Sequence, residues 1–491
     1  MLPGAGAGAL AGICAEPIVV HPANTIVATI TRTRIFNHLI AMNLDRHKAY
    51  QTRPDSMQKP IVSNGAMRID LDANATTPVF AEVLDAMQPF WLERHGNPSS
   101  AHQAGQRARA AVEHARLFVA NLLHCTPKEV VFTSGGTESD NLALIGVLQP
   151  FLDRRASENK ARQEAAHLIT TQIEHHAVLF TAEALERRGV EVTYLTPDRN
   201  GVISPTDLEA ALRPSTKLVS VMLANNETGA IQPVGKIARL TKAFAEKTNT
   251  RILVHTDAVQ AAAKLPVDLS GEFKNVNLLS ISGHKMYAPQ GTGALFVRQG
   301  VELAPLFHGG PHERQRRAGT ENVPGIVGLG RAAELAQKWL NSKLEARDSK
   351  LDAQPSAANT VQDAAGSHSA TELAALRDHL EAGLVAAIPG AHINAAAAPR
   401  VPNTINIRVN GIDAEALLIA LDLQGISSSF GAACMSGASE PSHVLLAMGL
   451  TPAEARSSLR LSLSRLTTRD EIDRALEIIP AAVARLRSLS R

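Results

Sequence analysis

The sequence predicts an α/β protein in which a mainly parallel sheet carries helices on both faces and is followed by a smaller α/β unit. Three observations predict it. From Met67 onward short apolar runs alternate with helix-period segments, which is the pattern of successive strand–helix units. Glu129–Thr133 (EVVFT) reads as a strand and passes through a Gly-rich turn into a helical pattern from about Thr137 to Leu148. Finally, 491 residues at 45% hydrophobic and 20% charged are enough chain, of ordinary globular balance, for two or more packed units.

In chain order, residues 1–65 come first and differ from the rest. They open on a Gly/Ala-rich run and show no sustained period. Arg32, Arg34, Arg46, Lys48, Arg53 and Lys59 outnumber the acids Glu16, Asp45 and Asp55. An Arg-rich, acid-poor stretch suits a transit peptide and an organellar location. A secretory signal fits badly, because no positive residue precedes the apolar stretch. The reading taken is a third: the natural start is Met67, and residues 1–65 are a disordered extension. Strand candidates then recur at His167–Thr171, Glu191–Leu195, Leu218–Leu223, Arg251–His255, Leu278–Ser282 and Ala294–Val297. A long helix is expected after Gly330. Residues 341–372 are polar and Ala/Ser-rich, and read as a solvated helix end with a flexible insertion. A strand at Asn403–Val409 and helices from about Asp413 and Thr451 make up the smaller unit.

Composition excludes several classes. Lys+Arg 49 against Asp+Glu 47 leaves a net charge of +2, without the basic field that nucleic-acid binders need, and aromatics are only 3%. Three cysteines cannot build a disulfide framework, so a reducing compartment, the cytoplasm, is expected. No uncharged apolar run is as long as a membrane span.

Four places carry candidate chemistry. Ser134-Gly135-Gly136-Thr137-Glu138, at a strand end and helix start, can offer backbone N–H groups and a helix N-terminus to a phosphate; the plain alternative is a Gly turn with Thr137 as cap. In Ser282-Gly283-His284-Lys285, a desolvated Lys285 suits Schiff-base chemistry, with Ser282 and His284 beside it to hold a phosphate; the alternative is a surface lysine. The strand containing His255-Thr256-Asp257 ends in an acid that, at a sheet's carboxyl edge, suits a ligand, and a protonated ring nitrogen is a fitting partner. A metal would need more ligands than His255 and Asp257. Nearby in type are Glu174-His175-His176 and Asn225-Asn226-Glu227, where His175 either stacks on a planar ring or caps a helix. Cys434, in the small-residue run Gly431-Ala432-Ala433-Cys434-Met435-Ser436-Gly437, is placed as a travelling nucleophile; Cys125 reads as packed, and Cys14 lies in the N-terminal extension.

From about Arg68 to Asp470 these places, in this order, resemble the pyridoxal-phosphate-dependent cysteine desulfurases of the NifS/IscS type, within the class V aminotransferases. The matching motifs are LDANATT at 71–77, GNPSS at 96–100, FTSGGTESDNLAL at 132–144, IEHHAVL at 173–179, NNETG at 225–229, HTDAVQ at 255–260, SGHK at 282–285, RAGTEN at 317–322 and EPSHVLLAMG at 440–449. The resemblance implies fold type I of the pyridoxal-phosphate enzymes. It implies a segment at 66–81 packing with the small domain, a large cofactor-binding domain with a seven-stranded sheet at 82–330, and a small domain at 331–491. It implies that Lys285 carries pyridoxal 5'-phosphate as a Schiff base. Gly136, Thr137, Ser282 and His284 would hold the phosphate, with Thr320 from the partner subunit of a homodimer. Asp257 would face the ring nitrogen, Gln260 the phenolic oxygen and His175 the ring face. Asn226 would border the substrate, L-cysteine, and Arg460 would receive its carboxylate. Cys434 would take the sulfur as a persulfide for an iron–sulfur scaffold protein or another acceptor, and would serve as an iron–sulfur ligand shared with such a scaffold. Departures are Gly431-Ala432-Ala433-Cys434 for the family's Gly-Ser-Ala-Cys, Ser464 for a glycine, Gln290 for a lysine and Pro311 for a glycine. Other readings are an aminotransferase or selenocysteine lyase of the same class, a non-catalytic sulfur-trafficking partner, and a metal hydrolase built on His255, Asp257 and His175.

Overall fold

The computed structural model describes residues 68–157, 166–348, 368–431 and 440–489. Residues 1–65 lie outside that set, as do the loop holding Cys434 and residues 349–367. Ala66–Arg491 forms a single compact unit.

The central element is a seven-stranded sheet of order β2-β8-β7-β6-β5-β3-β4. Its strands are β2 (Val130–Thr133), β3 (His167–Thr171), β4 (Glu191–Leu195), β5 (Thr216–Ser220), β6 (Leu253–Asp257), β7 (Leu278–Ser282) and β8 (Gly293–Val297). β3–β7 are mutually parallel and only β8 runs the other way, between β7 and β2. Six carboxyl ends therefore share one edge, where a doubly wound sheet leaves its crevice. Strands buried on both faces read as continuous apolar runs, as VVFT and LLSIS do. Two apolar cores cover the two faces: one gathers Val112, Val119, Phe132, Ile169 and Phe296, the other Leu142, Leu148, Leu168, Leu278 and Leu295.

A second sheet, of order β12-β10-β9, is antiparallel: β9 is Ala391–Ile393, β10 Thr404–Val409 and β12 Ser458–Ser462. Its core joins these strands to helices Ala370–Ala387 and Arg469–Leu489, and takes in Ile69 and Leu71 from the start of the described chain. There β1 (Ile69–Asp70) pairs in parallel with β11 (Ile426–Ser427), and Asp72 bridges to Ser462. The chain's first described turn is thereby laid against the strand that carries Arg460.

Several boundaries differ from the expectations. β6 runs two residues later than Arg251–His255, because Asn249 ends the preceding helix in a left-handed conformation (φ 51°) and Thr250 N–H still donates to Ala245 O. β5 begins at Thr216 and ends at Ser220, although Val221 and Leu223 N–H continue to donate to His255 O and Asp257 O. The helix after the Gly turn is Gly136–Ser157, so Thr137 lies inside the first turn and is not its cap. The long helix starts at Val323, before Gly330, and runs to Asp348, so the first residues of the expected insertion at 341–372 are helical.

Candidate active site

The Gly turn after β2 is shaped by close approach. A Cβ on Gly293 of β8 would stand 2.6 Å from Gly135 Cα, and one on Gly136 would stand 2.7 Å from Val259 Cγ2 and 3.6 Å from Ser282 Cβ. Gly135, at φ 154°, precedes a helix whose first intrahelical donor is Ser139 N–H to Gly135 O at 3.1 Å. The N–H groups of Gly136 and Thr137 therefore stand ahead of the helical bonds, beside the buried Ser282, as an anion cradle requires. Glu138 braces the turn: it accepts Ser134 N–H at 2.8 Å and Arg317 Nε at 3.0 Å. Burial pushes its carboxyl up, but these bonds outweigh burial and hold it below the usual range.

At the end of β7, Lys285 Nζ donates to the carbonyls of Asn74 and Ala75, each at 2.6 Å. His284 lies 3.2 Å through Nδ1 from Thr76 Oγ1, and burial with the Lys285 charge holds its ring at about 4, hence neutral. Asp257, at the end of β6, is 5% exposed and accepts Val259 N–H at 2.8 Å. Burial raises its carboxyl to about 6 against the Val259 bond and the Lys285 charge. Behind it stand two more buried acids. Burial lifts Asp140 well above its ordinary range, with Asp257 adding repulsion, and lifts Glu174 to about 8. Asp140 Oδ1 and Glu174 Oε2 are buried without a hydrogen-bond partner. Of the three, Asp257 is the one that ionises near neutrality, facing Lys285.

His175 caps helix His176–Arg187, its Nδ1 accepting Ala177 N–H at 3.1 Å. That bond puts the proton of the neutral ring on Nε2, and burial, followed by the charges of His176 and Lys285, holds the ring at about 4. Asn226 is buried, and its carbonyl accepts Arg460 Nη1 at 3.1 Å and Asn74 Nδ2 at 3.2 Å. Gln260 Nε2 donates to Asn74 O at 3.1 Å, and its Oε1 accepts Lys264 Nζ at 2.6 Å. Arg460 is buried and paired with Asp72. Thr320 is exposed, three residues past Arg317, at the end of a segment that Glu313–Gln315 carries through left-handed conformations.

The structure thus brings Gly136, Thr137, His175, Asn226, Asp257, Gln260, Ser282, His284, Lys285 and Arg460 to one sheet edge and the sheet beside it. Cys434 lies outside the described residues. The metal-hydrolase reading fails: His255 is fully buried, sits between Ser220 Oγ (2.8 Å) and Ser280 Oγ (3.0 Å), and is held neutral at about 3 by burial. Among the described residues no cluster of His, Cys, Asp or Glu is placed to hold a metal, and no helix is long and apolar enough to cross a membrane. Cys125 is packed as expected, with burial pushing its thiol up to about 12. Ser464 stands at a turn it builds itself, its Oγ accepting Leu466 N–H. Sequence reasoning passed over Asp72, Asp140 and Lys264 and named Glu174 beside His175 without giving it a role; apart from Lys264 these lie within matched motifs, where their spacing alone signalled no chemistry.

The aminotransferase class-V family profile matches residues 69–358 and 355–475. Cysteine desulfurase IscS of Methanosarcina thermophila is 43% identical over 429 residues, covering 87% of this chain and 95% of that protein. Cysteine desulfurase 2 of Trichormus variabilis is 44% identical over 422 residues, 86% of this chain and 94% of that protein. Among solved structures, a NifS-like protein superposes with a TM-score of 0.72 at 37% identity, covering 86% of this chain and all of that one. SspA in complex with cysteine does so with a TM-score of 0.65 at 34% identity, over 82% of this chain and 100% of that one. With its parallel sheet, its glycine cradle and its lysine at the carboxyl edge, the chain belongs to the class-V aminotransferase family, among the cysteine desulfurases of the NifS/IscS type.

Proposed function

We propose that this site takes the sulfur from L-cysteine, releasing L-alanine and leaving a persulfide on Cys434. The observation that carries the reading is the meeting of Lys285, the buried Asp257 and the Gly135–Gly136 cradle on one sheet edge, in a chain of this family. Those residues fit pyridoxal 5'-phosphate. Gly136, Thr137, Ser282 and His284 would hold its phosphate, Asp257 its ring nitrogen, Gln260 its phenolic oxygen and His175 its ring face, and Thr320 of a second copy would complete the cradle. The cofactor, when bound, supplies an electron sink for bond breaking at the substrate Cα.

The chain's own groups do the rest. Arg460 receives the substrate carboxylate, for which a planar fork is suited, and Asn226 borders the same corner. Lys285 takes the Cα proton and returns it. His175, neutral and carrying its proton on Nε2, can pass a proton to or from the substrate sulfur. The Cys434 thiolate attacks that sulfur: the substrate Cβ–S bond breaks, an S–S bond forms, and the carbon skeleton keeps the electron pair and gains a proton to become alanine. The persulfide then passes to an acceptor such as an iron–sulfur scaffold protein. A homodimer follows from the proposed contribution of Thr320, which is exposed here, to the cradle of a second copy. The three cysteines support a reducing, cytoplasmic setting.

The test is release of alanine and sulfide from L-cysteine in the presence of a thiol reductant. Equal amounts of the two from the wild type, and a loss on the order of 10³-fold in Lys285→Ala and in Cys434→Ala, are expected. Undiminished turnover in Cys434→Ala would assign the site to another reaction of the class.

A further inference from the structure

One short turn holds both cations that the proposed reaction uses. Ala75 N–H donates to Asp72 O at 2.8 Å and closes the turn, while Ala73 N–H to Ser462 O (3.0 Å) and Ser462 N–H to Leu71 O (2.7 Å) fasten it to β12. From this turn the carbonyls of Asn74 and Ala75 hold Lys285, and Asp72 Oδ1 accepts Arg460 Nη2 at 2.7 Å. Arg460 therefore already grips a carboxylate.

The two partners are held unequally. The Arg460 side chain is 2% exposed and that of Asp72 is 22% exposed. Arg460 is built into its place by Asn226 O at 3.1 Å, and its Nε is buried without a partner. Among the described residues, Arg460 is the one side-chain hydrogen-bond partner of the Asp72 carboxylate. Burial raises that carboxyl above its ordinary value in spite of Arg460, with Asp70 adding repulsion and Lys285 opposing it. A buried guanidinium cannot be left without an anion at small cost, but exchanging one carboxylate for another keeps it compensated.

We propose that Asp72 is a resident carboxylate guarding Arg460, which the substrate's carboxylate displaces toward solvent. This rests on Arg460 being the carboxylate receptor. A neutral amine has no charge to exchange for Asp72 and leaves the pair closed, so Asp72 acts as a positioning residue that keeps Arg460 compensated until a carboxylate replaces it. Removing its charge leaves Arg460 open, and carboxylate ligands should gain while neutral ones do not.

The experiment measures binding of L-alanine and of L-alaninamide to the full-length, pyridoxal-phosphate-loaded protein by calorimetry. Wild type is compared with Asp72→Asn, Asp72→Ala and Arg460→Lys, with melting temperatures as the check on folding. Asp72→Asn should bind L-alanine about tenfold more tightly and L-alaninamide within about twofold of wild type. Asp72→Ala should shift both in the same direction, and it decides the matter if Asp72→Asn fails to fold. Unchanged or weaker binding of L-alanine would overturn the proposal, because a residue that merely orients Arg460 gives that result. If Arg460→Lys keeps the wild-type preference for L-alanine over L-alaninamide, Arg460 is not the receptor and the proposal falls with it. If the wild type makes no alanine from cysteine while Asp72→Asn still tightens L-alanine binding, the desulfurase reading fails and the guard stands.

Discussion

Two regions of the large sheet bury carboxylates in opposite ways. At the β2 edge, Glu313 is buried together with a cation: Arg116 donates Nη1 and Nη2 to its two oxygens, each at 2.7 Å, and Phe132 N–H adds a bond at 2.9 Å. At the centre, Asp140 and Glu174 are buried behind Asp257, where Asp140 meets only one base, His255, at 3.6 Å and held neutral by burial, and each acid keeps an oxygen without a hydrogen-bond partner among the described residues. The difference separates two uses of burial. A paired acid fixes geometry. Here it anchors the left-handed run Glu313–Gln315, from which Arg317 reaches Glu138 and Thr320 is presented. An unpaired acid holds its proton, so the negative charge of the cluster is left to Asp257, where it faces Lys285.

Breaking the pair at the edge should have the larger effect on stability. Glu313→Ala leaves Arg116, whose side chain is 4% exposed, with only the half-exposed Glu113 carboxylate at 3.3 Å, and a loss of about 3 kcal/mol in chemical denaturation is expected. A loss below about 1 kcal/mol would mean that the pair does not fix the loop.

The central acids predict a smaller effect with a pH signature. Glu174 has an ordinary value of 4.5 and is lifted by burial to about 8, so folding takes up a proton between those values. Stability therefore declines as pH rises through that window, and the penalty is complete above about 8. Glu174→Gln removes the titration and can still accept the Thr171 hydroxyl and Met222 N–H. Its stability should be close to wild type at mildly acid pH and exceed it increasingly as pH rises through that window, levelling off above about 8. Parallel stability–pH curves for the two proteins would show that Glu174 is charged in the fold.

Much of the site was legible because its residues are local in sequence. Ser134–Glu138, Ser282–Lys285 and the acid of His255–Asp257 each lie within a few residues at a strand end, where motif and strand–turn–helix order say the same thing. Strand existence was legible from apolar runs, but strand ends were not: a helix cap at Asn249 moved β6, and hydrogen bonding past Ser220 blurred β5. The unread parts are long-range pairs. Asp72 and Arg460 are 388 residues apart, Arg116 and Glu313 are 197 apart, and neither pair leaves a period or spacing in the chain. His175 was open between ring partner and helix cap, and the cap is what fixes its tautomer for the proposed role.

Transfer of sulfur from L-cysteine to Cys434 can be read directly by mass spectrometry of the peptide carrying Cys434. The loaded protein would be given one equivalent of L-cysteine, without reductant, and quenched with an alkylating agent. This peptide should gain one sulfur atom, one alanine should appear for each, and Lys285→Ala should yield neither. Alanine formed with the Cys434 peptide unchanged would contradict that transfer.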